Sequence, residues 1–394
     1  MKKILLLISV SIVFVLGLKY LGVFSKDEFN LTGKKIVESN TNTAEVLPKQ
    51  YKIEEFAANL NVPWSIVWTS KNRMLISERP GRIRLVVSGA KQDLPLISFP
   101  EVKANNEEGL MGIEVDPNYK QNRFIYACLA YPTDNIYKVK VVRLIDDGNS
   151  ARIDKTIIDS IPSATFHTGC RIKFGPDQKL YITTGDASKK DLAQDFNSLA
   201  GKILRINSDG SIPNDNPTTN SLIYSLGHRN PQGIDWHPTS NVLFETEHGP
   251  SVFDGPAGGD EVNIIKPNQN YGWPLVSHTK HKDGLIDPVI IFTPAIAPAS
   301  GVFYTSNNIP QFKNNFFFGG LIGETIIRVI TTSDSDPKVI SYEHLLENGE
   351  KLKYGRIRDV AMGPDGNLYF STSNRDGRGK EKENDDKIYV IKPE

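Results

Sequence analysis

From residue 51 to residue 392 the chain alternates apolar and polar positions in short runs, and no sustained helical period interrupts them. One unit recurs: an apolar strand, a turn carrying Pro, Asp, Asn or Gly, and a second strand. It is read in VPWSIVWTSKNRMLISERPGRIRLV (residues 62–86), GLMGIEVDPNYKQNRFIYACLAY (109–131) and GCRIKFGPDQKLYITTGDA (169–187). It returns in PQGIDWHPTSNVLFETEHGP (231–250), SGVFYTSNNIPQFKNNFFFGGLIGETIIRVI (300–330) and RIRDVAMGPDGNLYFSTSN (356–374). The copies start roughly 45 to 70 residues apart, which leaves room for two more strands each and predicts an all-β, six-bladed β-propeller of four-stranded antiparallel blades. An open edge strand invites aggregation, so the ring is expected to close by pairing residues 51–56 with residues 387–391. One domain over residues 51–394 follows.

The N-terminus breaks this pattern. Lys2 and Lys3 precede an uncharged apolar run over residues 4–18, as in a secretory signal. Fifteen helical residues span about 22 Å, short of a ~30 Å hydrocarbon core; extension to Phe24 makes the length sufficient, with Lys19 snorkelling at the outer end. Residues 1–25 are therefore expected to be a signal peptide or membrane anchor, and the polar residues 26–50 a linker. Both readings export the domain, and any membrane association runs through this segment alone. Charge is balanced, with 46 basic and 46 acidic residues and no Lys/Arg block that tracks phosphates, which argues against a nucleic-acid partner. The two cysteines, Cys128 and Cys170, lie in apolar runs and are read as buried thiols, although an exported chain permits a disulfide.

In a propeller, residues at the same point of each repeat converge on one end of the channel. His167 precedes the first strand of the hairpin FHTGCRIKFGPDQKLYITTGDAS and Asp186 follows its second, so the hairpin brings an imidazole and a carboxylate together as a candidate general base. Equivalent positions elsewhere carry Glu107 and Glu108, then His228, Arg229 and Asn230, then Arg356 and Arg358. The expected cup is cationic, with a histidine at its wall. It suits a small, planar, anionic ligand, since guanidinium groups bind carboxylates bidentately and stack on flat rings.

At these residues the chain resembles the soluble quinoprotein glucose/sorbosone dehydrogenases, the aldose sugar dehydrogenases that use pyrroloquinoline quinone (PQQ). The resemblance runs through EEGLMGIEVDPNY, HTGCRIKFGPDQKLYITTGDA, AQDFNSLAGKILRIN, IPNDNP, LGHRNPQG, EHGP, GGDEVNIIKPNQNYGWP and GRIRDVAMGPDGNLY. It implies a six-bladed propeller carrying PQQ on a calcium ion and oxidising a sugar. His167 would take the proton of the anomeric hydroxyl as hydride passes to the quinone, Asp186 would orient it, and Arg229 would polarise the quinone oxygens. Asn230, Glu107, Arg356 and Arg358 would hold the cofactor, the last two by its carboxylates. The peptide oxygens of Gly249 and Pro250 would hold its calcium, and Glu261 with the Tyr271 carbonyl would hold a second, structural calcium.

Four positions depart from the family pattern. Phe166 and Cys170 stand where Asn and Gly are usual, and His248 replaces a Gln, where it would supply a compensating donor to the cofactor. Ile322 stands where a Lys or Arg usually reaches the cofactor. A cofactor-free propeller that binds a glycan or protein, and a metal-dependent lactonase, are the competing readings. Trp64, Trp68, Trp236 and Trp273 read as blade-packing aromatics rather than sugar platforms.

Overall fold

A computed structural model describes residues 51–134, 136–346 and 353–394. The expected anchor over residues 1–25 and the linker over residues 26–50 lie outside the described residues. No helix among the described residues is long and apolar enough to cross a membrane.

The six repeats form six antiparallel sheets. Their innermost strands are Pro63–Ser70, Leu110–Val115, Gly169–Phe174, Pro231–Trp236, Val302–Phe303 and Ile357–Met362, and each lies against the next blade around a closed ring. Five blades have four strands; in the first, the outer position is shared by Ala90–Lys91 and Ile97–Ser98, both paired with Arg82–Val87. Closure is the one the sequence predicts. Tyr51–Ala57 pairs antiparallel with Ile388–Pro393, Tyr51 opposite Pro393, so the N-terminal strand becomes the outer strand of the last blade.

The core is partitioned in the same way. Six hydrophobic clusters each sit at one junction between consecutive blades, the last joining Ile66 and Ile76 of blade one to Ile388 and Val390 of blade six. In the inner and middle strands alternate side chains face one neighbouring blade or the other, so both faces are largely buried there, while outer strands such as Ala151–Ser163 keep an exposed polar face. Trp64 is buried beneath Arg171, and Trp68 and Trp236 pack edge-on against Tyr369 and Tyr181, as expected of packing aromatics.

One polar contact crosses the channel. Arg171, on the inner strand of blade three, donates Nε to the Gln232 carbonyl at 3.0 Å, Nη1 to Ser65 Oγ at 3.3 Å and Nη2 to the Ala299 carbonyl at 2.9 Å. Its Nη1 also lies 3.2 Å from Asp359 Oδ1 on blade six, while Asp359 Oδ2 accepts from the Ile66 amide at 2.8 Å. The guanidinium stacks over Trp64, 4.1 Å from the ring centroid. Five of the six blades thus meet at or beside one buried guanidinium, and Ser65 Oγ reaches the sixth through the Ile113 carbonyl at 3.4 Å.

The cysteines correct the sequence reading. Cys128 and Cys170 form a disulfide with Cα atoms 5.8 Å apart, tying the second strand of blade two to the inner strand of blade three. Sequence offered no signal for it, because the two residues are 42 positions apart and meet only when the blades pack.

Two expectations follow for stability. Arg171→Met should lower unfolding free energy in urea by about 3–5 kcal/mol, because it leaves Asp359 buried without its cation; adding Asp359→Asn should restore part of the loss. Replacing both cysteines by Ala opens a loop worth about 4 kcal/mol and should lower the calorimetric midpoint, and the wild-type protein denatured without reductant should yield no titratable thiol. A free thiol there would contradict the bridge.

Candidate active site

His167 sits at the mouth of the ring because of its backbone. It adopts φ 60°, a left-handed conformation that His tolerates better than most residues, and the chain turns tightly enough that a Cβ on Gly185 would lie 1.9 Å from the His167 carbonyl oxygen. This close approach places Asp186 beside the imidazole. His167 Nδ1 and Asp186 Oδ1 are 2.7 Å apart. Asp186 is otherwise saturated: Oδ1 accepts from the Ser188 amide at 2.8 Å and Oδ2 from Trp273 Nε1 at 2.8 Å. Trp273 is therefore more than a packing aromatic, and no local sequence signal distinguishes it from the other three tryptophans.

Glu107 organises the other side. Its Oε2 accepts from the His167 amide at 2.9 Å and from Asn230 Nδ2 at 3.1 Å. Burial pushes this carboxyl up, but the charges of His248 and His167 and these two donors outweigh it, and the group sits below its ordinary value. Asn230 Oδ1 in turn accepts from the Gly169 amide and from Gln232 Nε2. Glu108, its neighbour, faces Ser163 Oγ at 3.1 Å and is raised to about 8 by burial.

Arg229 joins this group through Trp273 and the backbone. Its carbonyl accepts from the Asp186 amide at 2.8 Å and its guanidinium lies 5.4 Å from the Trp273 ring centroid. The guanidinium donates Nε to Asp254 Oδ2 at 2.8 Å, Nη1 to the His248 carbonyl at 3.3 Å and Nη2 to Ser251 Oγ at 3.2 Å. Asp254, a partner that sequence reading missed, sits in the loop immediately after EHGP. His248 turns its Nε2 to the Pro298 carbonyl at 2.8 Å, so the donor expected to compensate for Ile322 is spent on the protein.

Arg356, immediately before the inner strand of blade six, and Arg358, on it, share the Asp376 carboxylate, at 2.8 and 3.5 Å from its Oδ2. Arg79 approaches the same place, donating Nη2 to the Asp376 carbonyl and Nη1 to the Asn106 carbonyl, and its Nε is buried without a partner. Burial, with repulsion from Arg356 and Arg79, lowers Arg358 to about 10, still charged near neutrality. Arg356 and Arg358 thus meet the Asp376 carboxylate, and Arg79 meets its main-chain carbonyl. Ile322 lies at the rim, 63% exposed, beside the Leu321 carbonyl that accepts from Arg356 Nη1.

Gly249, Pro250, Glu261 and Tyr271, expected around two calcium ions, line one hollow of about 10 Å³ together with Glu247, Arg229 and Trp273. That is about the space of one water-sized particle. Three buried carboxyls cluster here, Glu247 and Glu261 at the wall of the hollow and Glu245 nearby. Burial raises Glu247 to about 8, and burial plus repulsion from Glu247 raises Glu245 and Glu261 well above the usual carboxylate range. His228, Glu245 and Glu247 each bring a ligand atom within 4.8 Å of the others, while His228 Nδ1, Glu245 Oε1 and Asn263 Oδ1 are buried without partners. Sequence reading placed His228 at a blade start but missed Glu245 and Glu247. The available signal was the strand LFETE, in which two acids at period two share a face of an otherwise apolar run.

These carboxyls set a pH dependence. An unfolded glutamate releases its proton near 4.5, whereas Glu247 and Glu108 hold theirs to about 8 in the folded chain. Between those values the folded chain binds more protons than the unfolded one, so stability falls as pH rises through the window. Metal-free protein should show its unfolding midpoint declining from pH 5 to pH 8, and Glu247→Gln and Glu108→Gln should each flatten the slope. A wild-type profile level across that range would count against these assignments.

Comparison with known proteins gives the arrangement a family. Residues 60–381 match the sequence profile of glucose/sorbosone dehydrogenases. The chain is 31% identical over 354 residues to the aldose sugar dehydrogenase YliI of Escherichia coli, covering 84% of this chain and 92% of that protein. Among solved structures it is similar to a glucose dehydrogenase-type oxidoreductase from Thermus thermophilus, with a TM-score of 0.79, 36% identity and coverage of 86% of this chain and 99% of the other. It is similar also to the PQQ-bound aldose sugar dehydrogenase of Streptomyces coelicolor, with a TM-score of 0.76, 32% identity and coverage of 88% and 99%. A closed six-bladed ring with a histidine–aspartate pair and clustered arginines at one mouth, matched over most of its length, places this chain in the glucose/sorbosone dehydrogenase family of oxidoreductases.

Proposed function

We propose that this chain oxidises aldose sugars to lactones, with PQQ as the electron acceptor, calcium as its partner ion and His167 as the base. The observation that carries the proposal is the polarity of the His167–Asp186 pair. Asp186 accepts at Nδ1 and is fixed by Trp273 and the Ser188 amide, which leaves Nε2 as the proton acceptor on an imidazole whose side chain is 13% exposed. Oxidation at C1 removes a hydride from carbon and a proton from the anomeric hydroxyl, and His167 Nε2 is the group here built to take that proton. PQQ, when bound, supplies the two-electron acceptor.

The donor set fits the groups this reading requires. Arg356 and Arg358 on the Asp376 carboxylate, with Arg79 on its main-chain carbonyl, gather guanidiniums suited to the cofactor's carboxylates, and Arg79 Nε, buried without a hydrogen-bond partner, is a donor awaiting an acceptor. Arg229 is the cation beside the base and would stabilise negative charge gained on reduction. Asn230 and Glu107 hold the His167 loop in place. For calcium, the hollow at Gly249, Pro250, Glu261 and Tyr271 offers hard oxygen donors, and a divalent ion there would displace the protons that Glu247, at its wall, and the nearby Glu245 otherwise hold. The Cys128–Cys170 bridge supports a working place outside the cytoplasm.

Purified protein given calcium and PQQ should reduce an artificial dye when glucose or another aldose is added. His167→Ala should lower kcat by about two to four orders of magnitude with cofactor uptake retained. Arg358→Ala should weaken PQQ binding roughly ten- to a hundredfold, the loss of one charge-assisted contact. PQQ binding no tighter than to an unrelated propeller would replace this reading with the cofactor-free binding module, and metal-dependent lactone hydrolysis indifferent to PQQ would replace it with the lactonase.

A further inference from the structure

Phe166, one residue before the base His167, keeps 38% of its surface exposed. Its backbone is held, since its carbonyl accepts from Ser188 Oγ at 3.2 Å and the next amide donates to Glu107. The Arg378 guanidinium lies over its ring, 5.2 Å from the centroid. Arg378 comes from a different blade, on the loop that follows the Leu368–Thr372 strand of blade six. The contact therefore ties the loop of the base to the loop beside Arg356 and Arg358.

An exposed arginine resting on a ring is a common surface contact, but this one is anchored in the cationic corner. Asp376 Oδ1 accepts from the Arg378 and Gly379 amides at 2.9 and 3.2 Å, while Oδ2 faces Arg356 and Arg358. Gly379 packs so closely that a Cβ there would lie 2.6 Å from Asn374 Cα and 2.9 Å from Arg356 Cδ, which fixes the course of the loop. Arg79 feels the same guanidinium: burial lowers its pKa, Asp376 raises it and the charge of Arg378 lowers it again. Holding one more cation here works against mutual repulsion, which a ligand with several carboxylates would relieve.

The donors of Arg378 are free to meet such a ligand. Arg79, Arg229, Arg356 and Arg358 each direct donors to protein oxygens. The Arg378 side chain has no hydrogen-bond or ion-pair partner among the described residues. A guanidinium stacked by its face keeps its edge, where the N–H groups lie, open to a planar acceptor. His248, the other candidate donor, is already bonded to the Pro298 carbonyl.

We propose that Arg378, laid on Phe166, stands in for the cation absent at position 322 and binds a carboxylate of PQQ, a role that rests on the PQQ-dependent reading above. Phe166 and Ile322 then have one explanation: the cation has moved from the turn of blade five to the loop of blade six, and the ring at position 166 fixes its reach.

The test titrates apoprotein with PQQ in the presence of calcium and reads occupancy from absorbance, so that turnover is not needed. Arg378→Ala should weaken binding about tenfold, the loss of one charge-assisted contact. Its unfolding midpoint without cofactor should stay within about 2 °C of wild type, as for an exposed side chain that no protein acceptor holds. Phe166→Ala should weaken binding roughly two- to fivefold and add nothing once Arg378 is Ala, because the ring acts only through the guanidinium. Ile322→Lys added to Arg378→Ala should recover most of the tenfold loss, about one charge-assisted contact regained. An Arg378→Ala dissociation constant equal to wild type, equal effects of Phe166→Ala with and without Arg378, or no recovery with Ile322→Lys would overturn the proposal. Wild-type protein that binds PQQ no tighter than an unrelated propeller would instead remove the PQQ reading itself, and this assignment with it.

Discussion

The ring depends on one buried cation. Arg171 sits where the inner strands converge, and its guanidinium satisfies carbonyls before and within the neighbouring blades, a serine hydroxyl and the Asp359 carboxylate. Inner strands of a propeller meet at an axis too crowded for large apolar side chains from every blade and too dry for unpaired polar groups. A planar fork with five donors resolves that conflict, because one side chain can answer acceptors on several blades at once. The desolvation cost of the charge is offset only because nearly every donor is used and a carboxylate faces it. Trp64 beneath the ring and the Cys128–Cys170 bridge one residue away brace the same strand.

The loop that carries His167 leads directly into that strand. Cys170 and Arg171 follow His167 by a few residues, so the constraint that closes the ring also fixes where the imidazole stands. From there the site is a chain of satisfied contacts: Glu107 to the His167 amide, His167 to Asp186, Asp186 to Trp273, Trp273 beside Arg229, and Arg229 to Asp254. Each link holds the next in one orientation, which is what a proton acceptor needs if it is to meet a hydroxyl without reorganising. Among the buried polar atoms of the described residues that lack a hydrogen-bond partner are Arg79 Nε in the cationic corner and Glu245 Oε1, His228 Nδ1 and Asn263 Oδ1 near the small oxygen-lined hollow.

Ile322 shows how a departure from pattern is absorbed. Without a cation at position 322, Arg356 and Arg358 of the last blade still gather at the Asp376 carboxylate, with Arg79 of the first blade at its main-chain carbonyl. Phe166 departs differently, since Arg378 stacks over its ring at 5.2 Å and draws another guanidinium to the mouth. Cys170 departs because it is half of a disulfide.

What the sequence determined by itself was whatever repeats or lies close along the chain. Period-two patterning gave the strands, the recurring hairpin gave six blades, the unpaired ends gave the closure, and the GDA turn gave the meeting of His167 with Asp186, since a hairpin brings its own ends together. Tertiary structure decided the contacts that no repeat and no local turn specifies. Cys128 finds Cys170, Trp273 finds Asp186, Asp254 finds Arg229 and Arg171 finds Asp359 across separations of up to 188 positions, between stretches that carry no mutual signal, because these contacts are set by how twisted sheets pack around an axis and by the demand that every buried charge find a partner. Glu245 and Glu247 lie between the two cases: their spacing put them on one face, and only burial against His228 and Glu261 made that face a site.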